Sequence, residues 1–260
     1  MIRFLNFVKS ISHTATKWFL ICFIVLLAGY SSMVDTDLRN SDATIQQDVS
    51  DFHSTSHKKA IRKSRDSAVR LISIDIFNGS VSTFSGTYVK SYGSYFVVTV
   101  AHGMVGNCDS TKVVYEQELY DCVKLIDLNL ENDYAIIQVE EIAERDPINI
   151  QRDLPKRNQW NNAYSLLNKV VYTGYPNSIG PLSIDGTIAG ASGNRFIYLY
   201  SYAWEGSSGS GVFDYRGKYI GHIVAIDVGS TEFGVQVLNN VVLVVPSFKI
   251  DWIKTITEAE

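Results

Sequence analysis

Beyond residue 67 the chain reads as short apolar or alternating runs separated by Gly, Asn and Asp. Residues 69–76 and 95–100 alternate, and further runs of β type occupy 112–115, 121–126, 134–139, 170–173, 196–202, 218–226 and 234–245. Many short strands with turn residues at close intervals predict an antiparallel sandwich or barrel. Residues 151–167 break the rhythm with Pro155 and several Asn, and are predicted to connect two halves of about 67–150 and 168–246. A helical pattern is confined to about 247–256. The expectation is an all-β body with a short C-terminal helix, and no repeat of fixed period.

The first quarter of the chain follows different rules. Arg3, Lys9 and Lys17 precede an apolar run over 18–28, closed by Gly29, Tyr30, Ser31 and Ser32. A basic stretch, an apolar core of about 7–15 residues and a small-residue end form a signal-peptide pattern. The run falls short of the ~20 residues that span a bilayer. Residues 1–30 are therefore predicted to direct export, to a periplasm or to the medium. No A-x-A site follows, so an uncleaved anchor that holds the protein near a membrane is the alternative. Tyr30 stands where a lipoprotein needs Cys, and no acylation is expected. Residues 31–66 are rich in Ser, Thr, Asp and Lys and are predicted to form a polar linker, because such a segment buries too little to offset its ordering entropy. Its basic cluster, Lys58, Lys59, Arg62, Lys63 and Arg65, reads as a solvated charge run rather than a lipid-binding patch. The folded domain is predicted over 67–256.

Composition narrows the function. Of 260 residues, 46% are apolar and 19% charged, enough to build a real core. A net charge of −4 argues against a nucleic-acid partner, since phosphate neutralisation needs a basic patch. Cys22, Cys108 and Cys122 form no C-x-x-C pair, and no H-E-x-x-H string occurs, so neither a metal nor a redox pair is expected. Export would permit a disulfide between Cys108 and Cys122. A simple hairpin about 116–119 does not place them opposite, so a disulfide and two free thiols both stand.

Three strings carry chemistry: Val98-Thr-Val-Ala-His102-Gly, Glu131-Asn-Asp133-Tyr-Ala-Ile-Ile and Gly206-Ser-Ser208-Gly-Ser-Gly211. Singly each has a plain structural explanation, a polar strand end, a turn Asp and a Gly/Ser loop. Together their order, spacing and flanking strands agree. A serine hydroxyl needs a base to take its proton as it attacks a carbonyl. A histidine suits that role near neutral pH, and a carboxylate fixes its tautomer. Glycines beside the serine let backbone N–H groups converge on a developing oxyanion. Asp127 is the rival carboxylate, and Ser207 and Ser210 are the rival hydroxyls. An α/β-hydrolase arrangement fails on order, because its His should follow both Ser and acid.

These residues resemble the trypsin/chymotrypsin-like serine peptidases, the HtrA (DegP-like) branch in particular. The likeness extends from about residue 68 to 253. It includes the strand into Thr99-Val-Ala-His102, the segment 127–139 around Asp133, Thr173-Gly-Tyr-Pro176, and Gly217-Lys-Tyr-Ile-Gly-His-Ile. The 31 residues from His102 to Asp133 and the 75 from Asp133 to Ser208 also fit. The resemblance implies two six-stranded antiparallel β-barrels of chymotrypsin type, with the site in the cleft between them. It implies a serine endopeptidase acting on proteins or peptides, without metal or cofactor. Ser208 would be the nucleophile, His102 the general base and then acid, and Asp133 the orienting carboxylate. The backbone N–H groups of Gly206 and Ser208, with Ser207 as a further donor, would form the oxyanion hole. A catalytically inactive homologue that binds protein in the same cleft is the alternative.

Departures from the pattern carry expectations too. Ser207 occupies the place of the Asp that pairs with a freed N-terminus in pancreatic-type enzymes, so that activation switch is expected to be absent. The chain ends soon after Trp252, and no PDZ domain is expected to follow. The substrate pocket is expected near Tyr202, Ile223 and Ala225, and their character favours a small or medium aliphatic side chain. His222 lies one position from the His of glutamate-selecting relatives, which turns it to the other face of its strand.

Overall fold

A computed structural model of the chain describes residues 48–50, 53–143, 145–193, 195–231 and 234–259, with the side chains of 225–231, 234–237, 239, 255, 256, 258 and 259 left out. The expected targeting segment 1–30, and the linker as far as residue 47, lie outside the described residues.

The first half contributes β1 (Ala68–Ile74), β2 (Val81–Ser91), β3 (Ser94–Thr99), β4 (Thr111–Tyr115), β5 (Glu118–Asn129) and β6 (Tyr134–Val139), with β7 (Ile148–Asn149) added at one edge. Their order is β1-β4-β5-β6-β3-β2-β7, and pairing of β1 with β2 closes a six-stranded antiparallel barrel. The second half supplies β8 (Lys169–Gly174), β9 (Leu182–Ser192), β10 (Phe196–Tyr200), β11 (Gly211–Asp214), β12 (Tyr219–Thr231) and β13 (Gly234–Pro246). These close a second barrel in the order β10-β13-β12-β11-β8-β9. The fold is the two-barrel, chymotrypsin-like architecture.

Three apolar clusters explain why the strand runs look as they do. Val69, Leu71, Tyr88, Val97, Val113 and Ile137 pack together in the first barrel. Ile188, Ile197, Leu199, Val212, Ile223 and Val242 do so in the second. A further cluster joins Phe96, Val98 and Ile136 of the first barrel to Val171, Phe213 and Tyr219 of the second. Strand β3 therefore buries both faces, Val97 on one side and Phe96 and Val98 on the other. A strand buried on both faces loses the simple apolar–polar alternation of a half-exposed one. At about 1.5–3 kcal/mol for each large side chain fully buried, this junction contributes substantially to holding the barrels together.

The polar stretch read as a linker as far as residue 66 departs from expectation. Helix α1 (Thr55–Ser67) starts at Ser54, whose side chain accepts the His57 N–H, and it buries Ala60, Ser64 and Ser67. Ala60 and Ile61 join the cluster between the barrels. Ser64 Oγ donates to Thr173 Oγ1 at 3.0 Å, and Arg65 Nη1 donates to the Pro181 carbonyl at 3.1 Å. Lys63 Nζ lies 2.7 Å from the buried carboxylate of Asp153 and also donates to the Gly217 carbonyl. The fully buried residues of α1 are all small, which contributes little to a hydrophobic pattern but allows close approach. Two members of the basic cluster, Lys63 and Arg65, are thus packing residues and not solvated charges.

The connection between the barrels holds two short helices, Ile150–Asp153 and Trp160–Ala163. The C-terminal helix is Trp252–Ala259, preceded by a 3-10 turn at Ser247–Lys249. No helix among the described residues is long and apolar enough to cross a membrane. Cys108 and Cys122 form a disulfide, with Cα atoms 5.2 Å apart. Cys122 sits on β5, whereas Cys108 lies in the 3-10 turn that precedes β4, so a hairpin register could not anticipate the pairing.

Candidate active site

His102 lies three residues past the end of β3, and Asp133 immediately precedes β6, which pairs with β3. The pairing Thr99↔Ala135 brings the two residues to the same end of the first barrel. Asp133 adopts φ +46°, the left-handed region, which costs an L-residue roughly 1–2 kcal/mol and which Asp tolerates better than most. Both its carboxylate oxygens are used. Oδ1 accepts the backbone N–H of His102 at 3.0 Å, and Oδ2 lies 2.7 Å from His102 Nδ1. Burial would raise the Asp133 carboxyl, but the side-chain and backbone hydrogen bonds from His102 outweigh it and hold the group below the usual carboxylate range. An ionised carboxylate only accepts, so Nδ1 of His102 carries the proton. In the neutral imidazole, Nε2 then has a free lone pair.

Ser208 arrives from the second barrel, in the turn between β10 and β11. Gly206 and Gly209 have φ +87° and +88°. A Cβ on Gly209 would lie 1.9 Å from the Ser85 carbonyl oxygen, so no other residue fits that close approach. Ser207 and Ser210 are buried, whereas Ser208 is partly exposed. Ser207 Oγ accepts from the Trp204 N–H at 3.1 Å, occupied inside the turn. The rival carboxylate Asp127 is likewise engaged elsewhere, with Tyr134 OH at 2.8 Å and Lys254 Nζ at 2.6 Å.

The Ser208 hydroxyl donates to the Val224 carbonyl at 3.2 Å, and no hydrogen bond links it to His102. Such bonds are often unmade without substrate. The backbone N–H groups around it differ in whether they are engaged. The Glu205 carbonyl accepts the Asn177 N–H at 2.7 Å. Across a planar trans peptide, the Gly206 N–H then faces the opposite way. Among the described residues no protein acceptor takes the N–H of Gly206 or Ser208. Ser207 differs from expectation: its N–H donates to the Trp204 carbonyl at 2.9 Å as part of the turn, so it is not an available third donor.

Ser85, on β2, supports this turn, and sequence reasoning does not single it out. Its N–H donates to the Ser208 carbonyl at 2.8 Å, and its Oγ donates to the Gly206 carbonyl at 2.7 Å. The same Oγ accepts the Tyr175 N–H at 2.9 Å, while Thr99 Oγ1 donates to the Ser85 carbonyl at 2.6 Å. One serine of the first barrel thus ties down the Gly206–Gly209 turn of the second. Its strand, Val81–Ser91, is itself rich in Ser and Thr, so nothing in the sequence marks this one out.

Of the expected pocket residues, Ile223 needs correction. Ile223 is 1% exposed and packs in the second barrel's interior, because strand alternation turns it inward. Ala225 pairs with Leu243 through its backbone, but its side chain lies outside the described residues. Tyr202 is exposed and stacks against Trp204, with ring centroids 6.2 Å apart. His222 is wholly buried, and its Nε2 lies 3.0 Å from the Asp133 carbonyl oxygen. Among the described residues no group of three or more His, Cys, Asp or Glu is placed to hold a metal.

Comparison with known proteins agrees with this fold. The family model for the trypsin-like peptidase domain matches residues 84–221, more than half of the chain and including His102, Asp133 and Ser208. No curated protein sequence matches. Similar solved structures include the HtrA-type protease AlgW with tripeptide (17% identity, TM-score 0.57, 74% of this chain and 60% of that one). A serine-to-alanine form of AlgW with tripeptide is similar at 17% identity and TM-score 0.59, over 78% of this chain and 64% of that one. The serine endoprotease from Yersinia pestis matches at 18% identity and TM-score 0.56, over 80% and 67%. The chain thus spans less than two thirds of the two AlgW chains, and at these identities the likeness is one of fold. With two closed barrels and a family match that spans all three strings, the chain belongs to the trypsin-like peptidase family.

Proposed function

We propose that the protein is a serine endopeptidase in which Ser208, His102 and Asp133 act as a triad. One observation carries the reading. His102 is fixed by Asp133 in the tautomer that leaves Nε2 basic, on the barrel facing a Gly206–Gly209 turn whose N–H groups at Gly206 and Ser208 are unused. In this reading the Ser208 hydroxyl gives up the Val224 carbonyl and turns to His102. As Oγ attacks a peptide carbonyl, its proton passes to Nε2, and the oxyanion meets the N–H groups of Gly206 and Ser208. His102 then gives the proton to the leaving amine, and water hydrolyses the resulting serine ester by the same steps.

The engagement of Ser208 Oγ with Val224 favours a second reading, a relative that binds peptide in this cleft without cleaving it. A fluorophosphonate probe separates the two. Labelling that is lost in Ser208→Ala and kept in Ser207→Ala and Ser210→Ala is expected of the enzyme. An unlabelled wild-type protein that still binds peptide would establish the other.

Export belongs to the same proposal. The basic and apolar pattern of residues 1–30 supports it, and so does a disulfide between Cys108 and Cys122, which suits an oxidising compartment. The expected finding is mature protein in an exported fraction, trimmed of its first ~30 residues or retained at the membrane by them. An intact chain in the cytosol would contradict it.

A further inference from the structure

Three successive residues of β12 touch both halves of the candidate site. Val224 accepts the Ser208 hydroxyl at 3.2 Å through its carbonyl. Ile223 accepts the Gly209 N–H at 2.7 Å and donates to the Ser210 carbonyl at 3.0 Å. His222 reaches across the barrel junction to the Asp133 main chain, Nε2 to carbonyl oxygen 3.0 Å. A carbonyl only accepts, so Nε2 carries the proton; Nδ1 is buried and has no partner among the described residues. A ring that donates through Nε2 and leaves Nδ1 bare is a neutral imidazole in a single tautomer.

The bond falls on a residue whose backbone needs support. Asp133 sits at φ +46°, and its carboxylate is aimed at two donors of His102 at once. The carboxylate end is held by the histidine it must orient, whereas the carbonyl end is held from the other barrel. Were the carbonyl released, the peptide could relax towards commoner backbone angles and swing the carboxylate away from Nδ1.

We infer that His222 is a positioning residue for the catalytic dyad, a strut from the nucleophile's barrel that fixes the Asp133 backbone and through it the tautomer and orientation of His102. The inference rests on the peptidase reading above. It assigns His222 a role apart from substrate selection, since its wholly buried ring presents no surface to the cleft. It also gives a reason for histidine rather than an aliphatic residue at a core strand position. Only a donor extending about as far as Nε2 can satisfy the Asp133 carbonyl from the paired position opposite Gly211.

The test compares His222→Gln, whose amide retains a donor at similar reach, with His222→Met, which fills space without donating. The readouts are the rate constant for fluorophosphonate labelling, kcat and KM on a peptide, thermal stability, and the downfield proton NMR signal of His102 Nδ1–H. Met is expected to lower labelling and kcat by about 10²-fold, the scale on which small displacements of a reacting group act, with KM little changed. It should also lose or broaden the His102 proton signal, while Gln restores both to within a few-fold. Folded His222→Met with wild-type labelling and an unchanged signal would overturn the inference. If wild type itself is not labelled, the peptidase reading falls, and the His102 signal alone decides: altered in Met and kept in Gln sustains the strut, unchanged in both refutes it. Should Met not fold, the nitrogen spectrum of the wild-type protein decides, because the strut requires the Nε2–H tautomer at His222 and an Nδ1–H tautomer excludes it.

Discussion

The two barrels contribute to the site by different physical means. On the first, His102 and Asp133 are locked by side-chain hydrogen bonds that use both carboxylate oxygens. On the second, the Ser208 turn is shaped by backbone: two glycines at positive φ, carbonyls tied to Asn177 and Ser85, and N–H groups left without protein acceptors. In the proposed triad the histidine's tautomer is therefore held by Asp133, whereas the Ser208 hydroxyl is engaged with the Val224 carbonyl. Side-chain hydrogen bonds fix a tautomer; backbone geometry leaves two N–H donors without a protein acceptor among the described residues.

Substitutions on the two sides should therefore fail differently. Asp133→Asn keeps the volume but offers His102 the wrong partner for its Nδ1–H, and is expected to lower kcat about 10⁴-fold with little change in folding. Kinetics on a peptide substrate beside a urea titration would check this. A drop no greater than that from a surface substitution would remove Asp133 from the role given to it.

Acid should act on the junction between the barrels. Burial lowers His222 from 6.5 to about 4, although its bond to the Asp133 carbonyl works the other way. Between those values the unfolded chain holds a proton that the folded chain does not. Stability present above about pH 6.5 is thus lost as pH falls towards about 4, by roughly 3 kcal/mol in all. Asp133, held below its ordinary value, adds a loss at still lower pH. Urea unfolding at about pH 7.5 and about pH 4.5 should show the first of these, and His222→Gln should flatten it. An equal slope in both proteins would mean that other groups carry the acid sensitivity.

The smallest expected effect concerns the tie between the halves. Ser85→Ala removes the donor to the Gly206 carbonyl and the acceptor of the Tyr175 N–H. The expected losses are roughly 1–3 kcal/mol in stability and about tenfold in labelling rate, equivalent to about 1.4 kcal/mol. Scanning calorimetry and labelling kinetics measure the two. A labelling rate equal to wild type would show that the turn holds its shape unaided.

Much of this is legible in the sequence, for definable reasons. Period-two runs and Gly-rich turns mark strands whatever their partners. His102, Asp133 and Ser208 stand out because a local string, not a distant contact, announces each. What stays hidden depends on three-dimensional neighbours. Helix α1 docks through Ala60, Ser64 and Ser67, residues too small to make an apolar stripe. Ser85 gains its meaning only when β2 meets the Ser208 turn. Ile223 turns into the second barrel's core rather than a pocket, a consequence of register that the run 218–226 does not reveal. The Cys108–Cys122 pairing likewise depends on a turn outside any regular hairpin.

The central claim is that Ser208, and neither neighbouring serine, is the nucleophile activated by His102. Intact-mass detection of fluorophosphonate adducts on wild type, Ser207→Ala, Ser208→Ala and Ser210→Ala tests it most directly. The expected result is a single adduct on wild type, Ser207→Ala and Ser210→Ala, and none on Ser208→Ala. An adduct that persists in Ser208→Ala, or its absence from folded wild type, would contradict the account.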